Sequence, residues 1–243
     1  MHWTTQLPLD LDPPGPPSPL PWIRAHLLAL YGEQRDFWRP DPMSQLVAAM
    51  VSSRTRDEVS LPAFARLRRR YPTWEALSRA ASADIEAAIH PVTFADRKAE
   101  LIPRALRVIT ARNGSFDLAF LAEWPEEMAM RWLMELPGVG AKIAATTLNF
   151  SALRRRTLPV DTHLLRIGER FGPLPPDADY EDGYDIYMSL VPDHWDADDI
   201  YEFHWLMKLH GQRVCRHATP HCRRCPLRTI CRHATIAHIT AGS

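Results

Sequence analysis

Apolar residues along this chain recur at helical spacing. Leu46, Val47, Met50 and Val51 form one set, Leu61, Phe64 and Leu67 a second, and Leu101, Ile102, Ala105, Leu106 and Ile109 a third. Residues three and four apart share a helix face, so each set predicts an amphipathic helix. Trp132, Leu133 and Leu136 give a further apolar face, and Ile143, Ala144, Thr147 and Leu148 another. Leu164, Leu165, Gly168 and Phe171 mark one more helix beyond them. No segment reads convincingly as a strand, and the pattern predicts an all-α, two-lobed protein. The segment Leu7 to Pro21 is rich in proline and cannot hold a helix, which predicts an extended arm over residues 1–21 with folding beginning near Trp22.

Composition narrows the function classes. With 243 residues, 46% of them apolar, the chain can bury a real core. No apolar run is long enough to span a bilayer, and Met1 to Leu20 lack the charged-then-apolar pattern of a signal peptide, so a cytoplasmic address is expected. The 29 basic and 29 acidic residues cancel, but they are unevenly placed. Carboxylates crowd residues 177–202, and none occurs from Phe203 to Ser243, where Lys208, Arg213, Arg216, Arg223, Arg224, Arg228 and Arg232 lie. A locally basic C-terminal segment is either a solubilising surface or a patch for phosphate.

Arginine supplies nearly all the positive charge; the lysines are Lys98, Lys142 and Lys208 alone. A guanidinium holds phosphate as well as an ammonium does but cannot become an amine nucleophile, so each lysine is a candidate for chemistry.

The four cysteines, Cys215, Cys222, Cys225 and Cys231, are spaced C-x6-C-x2-C-x5-C and form one site. A cytoplasmic chain with no other cysteine points to a metal or cluster rather than disulfides. Four thiolates suit zinc or a [4Fe–4S] cluster, and only Cys222 and Cys225 make the close pair of which structural zinc usually takes two. Either group would serve to fold a loop with too little chain to fold alone. The interleaved Arg216, Arg223, Arg224 and Arg228 would face DNA phosphate.

Pro137-Gly138-Val139-Gly140 joins two helices as a helix-hairpin-helix unit. Its glycines permit a tight turn close to a ligand, and the unpaired amides opening the next helix make an anion site suited to a DNA phosphate. Lys142 sits in that first turn, where a positive helix end and partial burial would lower its pKa and free its amine. Nineteen residues on, Asp161 in Val160-Asp161-Thr162-His163 is placed either to cap the following helix or to face Lys142 as a carboxylate that accepts its proton.

Taken in order, LPGVGAKIA at 136–144, VDTHLLR at 160–166, LHG at 209–211 and the cysteine loop resemble the endonuclease III family of helix-hairpin-helix DNA glycosylases, over about residues 22–233. The resemblance implies a six-helix barrel at 43–154, a [4Fe–4S] lobe from 22–42 and 155–236, and a tail at 237–243. It implies that Lys142 attacks C1′ of a damaged nucleotide, forms a Schiff base and drives β-elimination of the 3′ phosphate while Asp161 assists. Adenine-mismatch glycosylases of the same superfamily lack this lysine, so its presence favours combined glycosylase and lyase activity. The implied partner is duplex DNA containing damaged bases or abasic sites, bound by a monomer through Gly138, Val139 and Gly140. The base would be flipped into a cleft between a lobe carrying Lys142 and a lobe carrying Asp161.

Two stretches depart from the family pattern. Where relatives place a gap-filling glutamine, Ser52-Ser53-Arg54-Thr55-Arg56-Asp57 places Arg54; where a Gly-Leu-Tyr-Asn wedge is usual, Thr93-Phe94-Ala95-Asp96 offers Phe94. An aromatic wedge can stack on bases of an opened duplex, whereas a core Phe94 could not. The expected substrate class is oxidised pyrimidines. The alternatives are a damaged-DNA binder with little or no excision and a glycosylase for mismatched or alkylated bases.

Overall fold

The computed structural model describes residues 18–35 and 39–235, which contain α-helices and short 3-10 turns and no strand. The helices are α1 (Leu20–Tyr31), α2 (Pro42–Ser52), α3 (Asp57–Arg70), α4 (Trp74–Arg79), α5 (Ser82–Ile89), α6 (Ala95–Asn113), α7 (Glu126–Met134), α8 (Ala141–Phe150), α9 (Thr162–Phe171), α10 (Tyr180–Leu190) and α11 (Ala197–Arg213). Residues 1–17 of the expected arm and the expected tail at 237–243 lie outside the described residues. None of the described helices is long and apolar enough to cross a membrane.

The chain turns helical before the proline-rich segment ends, contrary to the expected arm over 1–21. Helix α1 begins at Leu20, with Pro21 inside its first turn. Amides there have no intrahelical acceptor, so a residue without an N–H loses nothing, and a φ fixed near the helical value favours the start. Pro42 opens α2 in the same way behind Asp41, whose side chain accepts from the Ser44 amide at 2.9 Å. Helix α3 buries Leu67 and packs Phe64 against the core as the pattern suggests, and departs from it at Leu61. Leu61 is 65% exposed, and the helix buries Ser60, Ala63 and Leu67.

Burial falls into two apolar clusters. The first runs from Met43 to Leu148 and takes residues from α2 to α8. The second joins Leu20, Ile23 and Leu27 of α1 to residues between Leu158 and Leu227, including Leu164, Phe203 and Leu206. The beginning of the described chain thus packs beside its end, α1 lying on α11. The polypeptide crosses between the clusters around Ser151 to Thr157. There Asn149 Nδ2 donates to Arg155 O at 2.8 Å and Ala197 O at 2.9 Å, tying the end of α8 to the start of α11.

Candidate active site

The connection between α7 and α8 is set by local sterics. Gly138 has φ +79°, and a Cβ there would lie 3.0 Å from Leu101 Cδ1, so a side chain would be both strained and crowded. The Val139 amide donates to Leu136 O at 3.1 Å and its side chain is buried in the first cluster. Of the hairpin residues proposed from sequence, Gly138 and Gly140 are exposed, while Val139 holds the turn from inside. Gly140 is the N-cap of α8, and no side chain caps that helix. Its first-turn amides therefore keep their capacity for an outside acceptor.

Lys142 follows at the second position of α8. Its neighbours Ala141 and Ile143 belong to the first cluster. No hydrogen bond or ion pair joins its ammonium to another described residue. Burial pushes the Lys142 pKa below the ordinary lysine value; Asp161 opposes that shift, Lys208 adds to it and Asp57 opposes it.

Asp161 stands in the second cluster's frame, between Val160 and the α9 residue Leu164. Its Oδ1 accepts from the His163 amide at 2.8 Å and the Leu164 amide at 3.0 Å. It is the N-cap of α9, the first of the two roles the sequence allows, and its charge interacts with that of Lys142. Burial penalises its charge, but positive charge at His204 and Lys142 and the Leu164 amide outweigh burial and hold the carboxyl below its usual range. His204 is buried with Nδ1 2.7 Å from Pro159 O, and burial pushes its pKa down to about 4.

Two sequence segments meet at His163. A Cβ on Gly211 of the Leu-His-Gly stretch would lie 2.5 Å from His163 Nδ1 and 2.7 Å from His163 Cβ. Glycine there lets His163 and α11 touch. Arg166 Nη2 closes the contact, 3.0 Å from His163 Nδ1 and donating to Gly211 O at 2.9 Å.

The other two lysines lie in the same electrostatic neighbourhood. Lys208 on α11 pairs with Asp57 of the first turn of α3 at 2.7 Å and lies over the Trp205 ring, 4.4 Å from its centroid. Lys98 is buried, and desolvation first, then the charge of Lys142, lowers its pKa to about 8. Their rarity in the sequence marks these lysines but assigns them no role. Asp57 and His204 carried no sequence signal beyond that of ordinary polar helix residues.

Arg54 and Phe94 come together although forty residues separate them. Both have left-handed backbones, φ 54° and 56°, and the Arg54 guanidinium is 5.9 Å from the Phe94 ring centroid. Arg54 is exposed and Phe94 is 53% exposed, so the aromatic ring is no part of the core.

The four cysteines are free thiols lining one cavity with Arg170, Val214, Pro220 and Ala234. Among the described residues no group of three or more His, Cys, Asp or Glu side chains is gathered to hold a lone metal ion. Four sulfurs around one cavity suit a larger inorganic group, and a guanidinium N–H and a histidine ring nitrogen lie beside them. Arg170 Nη1 is 3.5 Å from Cys215 Sγ, and His210 Nε2 is 3.4 Å from Cys225 Sγ. Helix α9 secures the loop from its far end. Arg166 Nε donates to Cys215 O at 3.0 Å, and Arg170 donates to the Arg216 and His217 carbonyls at 2.6 Å each. Arg223 and Arg224 are exposed on the 3-10 turn Cys222–Arg224.

Residues 47–192, more than half of the chain, match the model of the HhH-GPD superfamily of base excision DNA repair proteins. The chain belongs to this superfamily. HhH-GPD relatives include endonuclease III of Thermotoga maritima, 29% identical over 199 residues that cover 81% of this chain and 85% of that protein. Endonuclease III-like protein 1 of Gallus gallus is 28% identical, covering 76% of this chain and 62% of that protein. Transcriptional activator DEMETER of Arabidopsis thaliana is 29% identical over 69% of this chain, and the match spans only 9% of DEMETER. In architecture the chain is similar to a trapped endonuclease III–DNA covalent intermediate, with a TM-score of 0.75 and 21% identity over 90% of this chain and 97% of that one. That likeness establishes the all-α HhH-GPD fold.

Proposed function

We propose that this chain is a bifunctional DNA glycosylase and abasic-site lyase acting on duplex DNA, with oxidised pyrimidines as its substrate class. The observation that carries the reading is the Lys142 amine, which has no hydrogen-bonding partner among the described residues, in the first turn of a helix that no side chain caps, with its pKa lowered by burial against the opposing charge of Asp161. A structural lysine in such a place would be paired; an amine kept unpaired with a lowered pKa is an activated nucleophile.

Lys142 attacks C1′ as the bond to the base breaks and the base departs with the electron pair. Asp161 stabilises positive charge at the sugar and takes the proton lost by the lysine. Ring opening gives a Schiff base between Lys142 and C1′. Loss of a C2′ proton then expels the 3′ phosphate, and water releases the lysine.

Gly138, Gly140 and the uncapped start of α8 hold a phosphate next to this centre, with Val139 fixing the turn. Arg54 and Phe94 enter the opened duplex, and Arg223 and Arg224 contact phosphate. Cys215, Cys222, Cys225 and Cys231 would hold a [4Fe–4S] cluster, which when bound supplies a rigid cross-link for the C-terminal loop. Support for the paired activities comes also from DNA glycosylase/AP lyase ROS1 of Arabidopsis thaliana, 28% identical over 69% of this chain and 13% of that protein.

Borohydride reduction tests the reading. Duplexes carrying an abasic site, thymine glycol or a mismatch are incubated with wild type and Lys142→Ala. A covalent adduct on damaged DNA that disappears in Lys142→Ala is expected. Binding without trapping or base release on any duplex would overturn it in favour of a damaged-DNA binder.

A further inference from the structure

Lys98 is buried, yet its ammonium meets three acceptors. It donates to Val51 O and Ser53 O at 2.7 Å each and to Thr55 Oγ1 at 3.2 Å. An ammonium has three donors on one tetrahedral nitrogen, and all three are used. A planar guanidinium could not converge on the same point, which explains a lysine here in a chain that otherwise prefers arginine. The acceptors belong to the end of α2 and the turn after it, where carbonyls lack helical partners and a cation is favoured.

That turn carries Arg54, and Lys98 itself stands one helical turn after Phe94, its amide donating to Phe94 O at 3.0 Å. Thr55 completes the connection. Its hydroxyl oxygen accepts from the Thr93 amide at 3.1 Å as well as from Lys98, and its proton goes to Ser53 O at 3.3 Å. The residues on either side of Arg54 and the residue before Phe94 thus share one hydrogen-bonded knot. Left-handed backbone at two non-glycine residues persists only where the surroundings over-determine it. The knot does so at both positions.

We propose that Lys98, through Thr55, is a positioning residue that locks Arg54 and Phe94 into a single preassembled probe, so that the two side chains enter an opened duplex together. The proposal rests on the DNA-repair reading above. It makes the Arg54–Phe94 pair, rather than either residue alone, the element that reads the strand opposite the lesion. Preassembly removes the ordering cost that two independent loops would meet on binding.

The test is a double-mutant cycle on equilibrium binding to a duplex with a central abasic-site analogue and 2-aminopurine opposite it. In the wild-type background Phe94→Ala is expected to weaken binding about tenfold, the scale of losing one base–aromatic stack. In Lys98→Met or Thr55→Val backgrounds the same change should cost less than about twofold, because the unlocked ring no longer inserts. The rise in 2-aminopurine fluorescence seen with wild type should be lost in both backgrounds while the thermal midpoint of Thr55→Val stays near that of wild type. Thr55→Val preserves side-chain volume and carries the test if Lys98→Met fails to fold. An undiminished Phe94→Ala penalty in these backgrounds, with wild type still preferring the abasic duplex, overturns the lock alone. A wild-type protein that binds abasic and intact duplexes equally overturns the repair reading and the lock with it.

Discussion

Lys208 Nζ lies 2.7 Å from Asp57 Oδ2, an ion pair between residues 151 apart that ties α11 to the first turn of α3. Each partner also acts on Lys142, Lys208 lowering its pKa and Asp57 raising it, on top of the larger effects of burial and of Asp161. Lys98 and His204 complete the charged and titratable groups coupled to this amine. Removing Lys208 as Lys208→Met raises the Lys142 pKa and moves the acid limb of the borohydride-trapping profile to higher pH. Asp57→Asn moves it to lower pH. A bridge that only joined two parts of the fold would lower trapping in both variants with no movement of the limb.

Asp161 caps α9 and, in the proposed mechanism, assists Lys142, and two substitutions separate these roles. Asp161→Ala removes the acceptor for the His163 and Leu164 amides and should cost about 1 kcal/mol of stability. Asp161→Asn keeps an acceptor oxygen and the helix start but not the charge, so excision should fall by roughly 10²–10⁴-fold with little change in thermal midpoint. The folded pKa of Asp161 is depressed, so its ionisation stabilises the fold above the unfolded carboxyl pKa and is lost as pH falls through the folded one. Chemical denaturation across the acid range should show Asp161→Asn losing less stability on acidification than wild type.

Gly211→Ala places a methyl group within 2.7 Å of two His163 atoms. Overpacking of this kind costs about 1–3 kcal/mol. Because His163 follows the Asp161 cap, the substitution should lower both the melting temperature and the rate of base release. A variant that melts like wild type would show that α9 and α11 are not in firm contact here.

The exposed pair Arg223 and Arg224 should act through phosphate. Replacing both with alanine is expected to reduce the magnitude of the slope of log K against log salt by about 2, since each phosphate that a side chain neutralises contributes roughly 0.9. Titrations at several salt concentrations measure it directly, and an unchanged slope would place the two arginines away from DNA.

The sequence by itself determined the helical class, because apolar residues spaced by three and four can be buried only on a helix face. It also marked Lys142, Asp161 and the cysteines, whose chemistry is local: a lysine in an uncapped first turn, a carboxylate before an apolar helix, four thiols in one loop. Short-range signals failed where geometry depends on partners. Leu61 had the right spacing but the wrong side of α3, and Pro21 read as a breaker where the first turn accepts it. Only the tertiary structure decided that Val139 holds its turn from within the core, that the buried His204 meets Pro159 O, that Lys208 meets Asp57, and that Lys98 joins the Arg54 and Phe94 turns. Each of these contacts spans tens of residues or depends on what burial surrounds, and no local periodicity encodes which distant side chain will supply the acceptor for a buried donor.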